Sequence, residues 1–283
     1  MNDRHHSFQT PAPARLRVEI PNGQITVTAA VTETTDIDLT APRGDSGAMA
    51  WVADAEIVQF GDEIVVRGPK VSLSLFRSWG PIEARIRAPI GSDAHLSIGA
   101  GGIDTQGKLG RLTANTGAGA VRLDDCDEAR AHTGAGNVEI ASVTGSVDTK
   151  TGAGKVTIGR IGGGARIVTG AGNAKVGDVV GAAKLTTAHG NIEVDHGGES
   201  LELFTASGNV DVRCADRGRI RAKTVSGRVS VGVASGVSAL LDISTLSGRV
   251  HSDLAASAAP GDGEAQVELI LSTVSGNVSV ARA

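Results

Sequence analysis

Apolar and polar residues alternate along most of this chain in short blocks, and the blocks recur at a nearly constant interval. Each repeat contains a threonine followed by a small-residue corner such as GAG, ASG or VSG. The interval is 17 or 18 residues in the middle of the chain and widens to 19, 21 and 28 residues toward the end. With that threonine as position zero, the repeats begin at Thr116, Thr133, Thr151, Thr169, Thr187, Thr205, Thr224, Thr245 and Thr273, and an earlier copy begins at Ile98.

Alignment of the repeats reveals apolar columns. Residues five and seven positions after the threonine are apolar, as in Val138 and Ile140, and so are most residues four and two positions before it, as in Ala183 and Leu185. This period-two alternation predicts two short strands in every repeat. The glycine three positions after the threonine permits a tight corner between them. A third apolar column, ten positions after the threonine, holds Cys126, Val143, Ile161 and Val179.

An eighteen-residue repeat cannot bury its own apolar face, whereas stacked copies can. We therefore predict an all-β fold: a single-stranded, right-handed parallel β-helix (β-solenoid) of about ten 18-residue rungs stacked about 4.8 Å apart. Strand-like runs before residue 92 lack the full period and predict an N-terminal antiparallel β cap. The predicted organisation is a disordered tail (1–14), the cap with a first rung (15–92) and the repeat region (93–283), the last two forming one continuous domain. Residues 252–266 are predicted to be a loop between the last two rungs.

Composition narrows the class of protein. The chain has 39 glycines among 283 residues, no tyrosine and a net charge of −4, so neither an aromatic core nor a nucleic-acid-binding charge is expected. We recognise no signal peptide, and no stretch reaches the roughly 18 apolar residues of a membrane span. These features predict a cytoplasmic protein, associated at most with the membrane periphery.

The repeated T-x-S/A-G-x-V-x-V unit, preceded by RIRAPIGSDAHLSIGAGGI, resembles the bacterial β-strand-repeat "putative adhesin" family, also called the toastrack domain. The resemblance covers roughly residues 16–280. It implies a right-handed β-helical fold, no established catalytic activity and frequent association with envelope or membrane-stress systems.

The sequence TGAGK at 151–155 is not a phosphate-binding loop. A P-loop requires glycine five positions before the Gly-Lys pair and Ser or Thr after it, whereas Thr149 and Val156 occupy those positions. The dinucleotide fingerprint fails as well, because its third glycine is missing. We therefore interpret the glycines as corners and expect no cofactor.

Histidines and cysteines do not indicate a metal site in the sequence. His189 and His196 lie seven residues apart in one repeat, which does not bring enough ligands together. Cys126 shares an apolar column and is predicted to be a small buried hydrophobe, and we expect the same of Cys214. The sequence suggests no pairing of cysteine with histidine.

Glu193 and Asp211 are predicted to lie on adjacent rungs about 5 Å apart, the separation that retaining glycosidases use. Phe204 is the only aromatic residue of the repeat region, however, so nothing there could stack on a sugar ring. A polysaccharide-acting enzyme is therefore the least favoured alternative.

One surface column pair is mildly basic. Positions one and three before the threonine carry Arg130, Lys150, Arg166, Lys184, Arg221 and Lys223, against Asp148, Glu202 and Asp242. This basic stripe is either an ordinary solvated face or a contact for anionic lipid or polymer. Residues 70–81, which include Phe76 and Trp79, form either an exposed apolar tip or a strand of the cap.

The sequence thus predicts a non-enzymatic structural or interaction protein without catalytic residues, cofactor or metal. Its expected partner is a protein or an envelope component, and the alternative is peripheral membrane or anionic-polymer binding through the basic stripe. The rung at 273–280 has no evident cap, so end-to-end self-association is also expected.

Overall fold

A computed structural model describes residues 3–69, 80–254 and 266–283. The fold is nearly all β, with 72% strand and 3% helix. Two compact units, Met1–Ala141 and Ser142–Ala283, are called below the N-terminal and the C-terminal unit. Most of the predicted tip at 70–81 and most of the predicted loop at 252–266 lie outside the described residues.

The described residues of the N-terminal unit form one helix and the first strands of the chain. They are β1 (Asp3–Gln9), β2 (Arg15–Ala30), β3 (Thr34–Thr40), α1 (Ser46–Asp54), β4 (Glu56–Phe60), β5 (Glu63–Arg67), β6 (Ile82–Pro89), β7 (Asp93–Gln106), β8 (Leu109–Ala118) and β9 (Val121–Ala135).

Strand β10 (Val138–Val143) crosses the boundary, and the remaining strands belong to the C-terminal unit. They are β11 (Val147–Ala153), β12 (Val156–Ile161), β13 (Ala165–Ala171), β14 (Ala174–Val179), β15 (Ala182–His189), β16 (Ile192–His196), β17 (Ser200–Ser207), β18 (Val210–Ala215), β19 (Gly218–Ser226), β20 (Val229–Val233), β21 (Ser238–Ser247), β22 (Val250–Ser252), β23 (Gln266–Ser275) and β24 (Val278–Arg282).

The repeats fold as the alternation predicts, with two strands per repeat that pair in parallel with the same strands of the next repeat. Strand β13 is in register with β15, so that Ile167 lies beside Leu185 and Thr169 beside Thr187. These four side chains are buried, whereas the residues between them face outward. The predicted parallel β-helix is confirmed. The hand of the coil and the predicted domain bounds stay predictions.

The cap is mixed. Strand β2 pairs in parallel with β7, with Ile20 opposite Ile98, and its other edge is covered by β5 and β6, also in parallel. The outer pairs β1–β3, β3–β6 and β4–β5 are antiparallel, as predicted. The N-terminal strand edge of the repeat is therefore covered.

Two features of the cap correct the sequence-based prediction. Residues 3–9, expected in a disordered tail, form β1 and pair with β3 over seven residues. Helix α1 was not expected, because its alanines and glycine also suit a loop. Its first turn is capped by Asp45, whose carboxylate accepts from the Ala48 amide at 2.9 Å. Arg4 of β1 donates to the Ala53 carbonyl at 3.0 Å, which ties the helix to the new strand.

The last two rungs are not stacked in chain order, which corrects the prediction. Strands β23 and β24, called here the inserted rung, pair on one side with β19 and β20 and on the other with β21 and β22. In the threonine column, Thr273 therefore lies between Thr224 and Thr245. The widened intervals before Thr245 and Thr273 were the only sign of this in the sequence.

Apolar content explains which rung lies inside. Val280 of the inserted rung is fully buried, whereas the residue opposite it in β22 is the polar Ser252. Similarly, Val267 is fully buried and lies opposite the smaller Ala239. Burial of the larger apolar surface favours the inserted rung in the interior. Residues 238–252, called here the open rung, consequently form the end of the stack among the described residues.

Candidate functional site

The glycine corners are built by a hydrogen-bond ladder rather than by a ligand. In most rungs the hydroxyl of the threonine at position zero donates to a glycine carbonyl of the adjacent rung, as Thr205 does to Gly190 at 3.0 Å. The other pairs, at 3.0–3.4 Å, are Thr116–Gly101, Thr133–Gly119, Thr169–Gly154, Thr187–Gly172, Thr224–Gly208, Thr245–Gly276 and Thr273–Gly227. Because each hydroxyl is satisfied locally, the column is structural.

An asparagine ladder follows the same corners. The side-chain oxygen of Asn173 accepts from the Asn191 amide at 2.8 Å, and that of Asn191 accepts from the Asn209 amide at 2.8 Å. Lys155, the lysine of TGAGK, occupies the same position one rung before Asn173. The motif is therefore one corner of a coil.

The basic stripe is interrupted by carboxylates. Five of its residues lie in the C-terminal unit, whereas Arg130 lies in β9 of the N-terminal unit. Along one column, Arg166, Lys184, Glu202 and Arg221 follow each other in register. Lys184 donates to Glu202 at 2.8 Å and, with a smaller effect from Arg221, lowers the pKa of that carboxyl. Alternation of charge weakens the field of the stripe and favours a solvated face.

Lys150 and Lys223 are the stripe residues in the neighbouring column, where Phe204 lies directly beside Lys223. Both lysines are exposed, and Phe204 is 37% exposed. Between the two lysines this column contains Val168, Thr186 and Phe204, which are all uncharged. The arrangement does not concentrate positive charge at one point.

The predicted carboxylate pair is in register, with Glu193 of β16 opposite Asp211 of β18. Glu193 lies 3.5 Å from the Lys175 ammonium and 4.0 Å from the Arg213 guanidinium. Glu193 is therefore one member of an exposed network of ion pairs, an arrangement common on protein surfaces. The geometry therefore gives no support to the glycosidase alternative.

A shallow pocket of about 370 Å³ lies on the outward face of β2, β7 and β8 in the N-terminal unit. Three arginines line it, and each is bound to a carboxylate. The pairs are Arg15 with Asp62 at 2.7 Å, Arg17 with Glu19 at 2.9 Å and Arg111 with Glu128 at 2.9 Å. Each of these guanidinium groups is therefore already paired with a carboxylate of the protein, which lowers the attraction of the pocket for an anionic ligand.

The two cysteines differ, which corrects one prediction. Cys126 is buried as expected, and burial raises the pKa of its thiol to about 12. Cys214, expected to be buried as well, is partly exposed. It lies in register with His196 on the adjacent strand, a cysteine–histidine neighbourhood that the sequence did not suggest. Comparison of the ninth position after each threonine would have revealed it. In the described part of the chain, no three His, Cys, Asp or Glu side chains converge as metal ligands.

The open rung exposes apolar side chains at positions that other rungs bury. Val250 is 50% exposed, whereas Val278, its partner in the inserted rung, is fully buried. Leu240 and Leu246 are 58% and 84% exposed as well, at positions that face outward in the other rungs too. The prediction that residues 273–280 form the uncovered end of the stack was wrong. Those residues belong to the inserted rung and are covered on both sides.

Comparison with solved structures finds several that are similar to this chain over nearly its full length, and three of them are described here. A "putative adhesin" from Bacteroides fragilis is 15% identical, with 99% of this chain and 97% of that chain covered and a TM-score of 0.42. A "putative lipid binding protein" from Parabacteroides distasonis is 12% identical (100% and 97% covered, TM-score 0.38). A "putative adhesin" from Parabacteroides merdae is 10% identical (99% and 96% covered, TM-score 0.32).

No curated protein matches the chain. Among the described residues, no helix has the length and apolar character needed to cross a membrane. The model of the family described as Toastrack DUF4097 matches residues 11–281, almost the entire chain. The protein therefore belongs to the Toastrack DUF4097 family.

Proposed function

We propose that this protein is a non-enzymatic interaction scaffold and that the open rung docks a second copy of the same chain. The observation that supports the proposal is the exposure of the open rung, where Val250 and the half-buried Leu241 and Ile243 lack the covering strands that their equivalents have. Removal of this apolar surface from water favours association.

Unpaired main-chain groups of the open rung also favour association. In the described part of the chain, β21 pairs only with β23, and β22 pairs only with β24. Among the residues that the structure describes, each strand therefore has one unpaired edge, which is a template for pairing with another strand. Within the N-terminal unit the corresponding edge of β2 is covered by β5 and β6. Contact through one kind of edge predicts a closed twofold dimer in which the two β21 strands run antiparallel.

Charge favours a second copy as the occupant. The open rung contains one acidic residue, Asp242, one arginine, Arg249, and His251. With histidine neutral, its formal charge is zero, so two copies do not repel each other. The rung has only about fifteen residues, against about 20–30 per side in standard interfaces, so we expect weak, concentration-dependent association.

Val250→Lys is expected to abolish dimerisation, because it places a charge on the apolar end of the stack. Val180→Lys is the matched control, since Val180 is 39% exposed in the same unit but lies away from the open rung. Sedimentation equilibrium of both variants and the wild type over a range of concentrations provides the measurement. Dimers of the wild type and of Val180→Lys, with monomers of Val250→Lys, support the proposal. A monomeric wild type, or a dimer that tolerates Val250→Lys, overturns it.

A further inference from the structure

One outward column brings together side chains from four consecutive rungs. Arg160, Asp178, His196 and Cys214 occupy equivalent positions, each in register with the next. Equivalent residues on neighbouring strands lie about 4.8 Å apart. Residues distant in the chain therefore form one continuous row on the surface of the C-terminal unit.

The central member of the row is a histidine oriented by a carboxylate. The Nδ1 atom of His196 lies 2.7 Å from the Oδ1 atom of Asp178. A carboxylate in this position favours the tautomer in which Nδ1 carries the proton and Nε2 keeps its lone pair. His196 can then accept a proton at Nε2, with Asp178 stabilising the resulting imidazolium.

Cys214 lies at an irregularity of its strand. The register between β18 and β20 shifts between Val212 and Ala215, so two residues of β18 face the single Gly232. Such bulges redirect side chains and are frequent beside functional sites. Gly232 has no side chain to cover the thiol, and Cys214 remains partly exposed. Cys214 is thus partly exposed and lies in register with His196 on the adjacent strand.

We propose that Cys214 is a reactive thiol, with His196 as its base and Asp178 as the positioning residue, and that it takes up low-molecular-weight disulfides. His196 removes the thiol proton, and the resulting thiolate attacks one sulfur of the small disulfide. A new S–S bond forms to Cys214 as the old S–S bond breaks. The departing thiolate takes the proton back from the imidazolium and leaves as a thiol, so the small disulfide is the oxidant.

The modification is stoichiometric rather than catalytic. The only other cysteine of the chain is Cys126, which is 2% exposed and therefore cannot resolve the mixed disulfide. The adduct persists until an external thiol removes it. This inference is independent of the proposed docking of the open rung.

The thiol reactivity can be measured with 5,5′-dithiobis(2-nitrobenzoic acid) on the native protein near pH 7. One thiol is expected to react rapidly, and Cys214→Ser is expected to remove that phase. His196→Ala is expected to slow it about tenfold or more, because a positioned base is lost. The matched control His189→Ala, at another exposed histidine of the same unit, is expected to leave the rate unchanged.

Two further readouts separate proton transfer from a merely structural role. Added imidazole is expected to restore the rate of His196→Ala but not to accelerate the wild type to the same extent. Asp178→Asn is expected to slow the reaction while its circular dichroism stays that of the wild type. Mass spectrometry after treatment with oxidised glutathione should show one adduct, on Cys214. A native protein without a rapid thiol, or a His196→Ala rate equal to the wild-type rate, overturns the proposal.

Discussion

Replacement of Gly190 by alanine is expected to lower the free energy of unfolding by about 3 kcal/mol or more. Gly190 has a φ of 149°, which L-residues rarely adopt, and an added Cβ would lie 2.1 Å from the Gly172 carbonyl oxygen. The Cα that would carry the new Cβ and the Gly172 carbonyl both belong to main chains that the stacking of rungs holds in place. Neither can therefore move apart without a large cost in free energy. Urea unfolding followed by circular dichroism provides the measurement.

Gly236→Ala is the control for this prediction. Gly236 also has a positive φ, of 80°, but an added Cβ would meet nothing within 4 Å. Its substitution should therefore cost only the backbone term, about 1–2 kcal/mol. Equal losses for Gly190→Ala and Gly236→Ala would show that the close approach of rungs at the corner does not constrain the fold.

Leu269→Ala is expected to cost about 2–5 kcal/mol, because Leu269 is fully buried in the inserted rung between Ile220 and Leu241. Leu241→Ala makes the same change at the same column position of the open rung. Leu241 is only half-buried, so its truncation should cost about 1 kcal/mol. The comparison of unfolding free energies tests the order of the last rungs, since stacking in chain order would reverse the two losses.

Most of the fold could be predicted from the sequence because the repeat is local information. Alternation identifies the strands, and the corner glycines mark where they end, as at Gly190. The order of the last rungs could not be predicted in this way. Each of them carries the same columns, and the choice between them depends on small differences in buried volume, such as Val280 against Ser252. That comparison becomes visible only once the rungs are stacked.

The candidate sites were harder to predict. The basic stripe was visible as a charge pattern, but its weakness depends on the pairing of Lys184 with Glu202 across two rungs. The row of Asp178, His196 and Cys214 spans three repeats, and its successive members are eighteen positions apart in the chain. Each repeat contains only one member of the row, so the spacing of residues within a single repeat does not reveal it. The N-terminal β1 was missed because its partner β3 is also non-repetitive, so no column aligns the two strands.

Hydrogen–deuterium exchange of the open rung tests the central claim most directly. The amides at the free edges of β21 and β22 should exchange rapidly in dilute protein, where the edges face water. When the protein concentration is raised about a hundredfold, mass action should shift the protein from monomer to dimer and slow the exchange of residues 238–252. The exchange rates of the interior rungs should not change. Exchange of 238–252 that is the same at low and high concentration would contradict the proposed docking of a second copy.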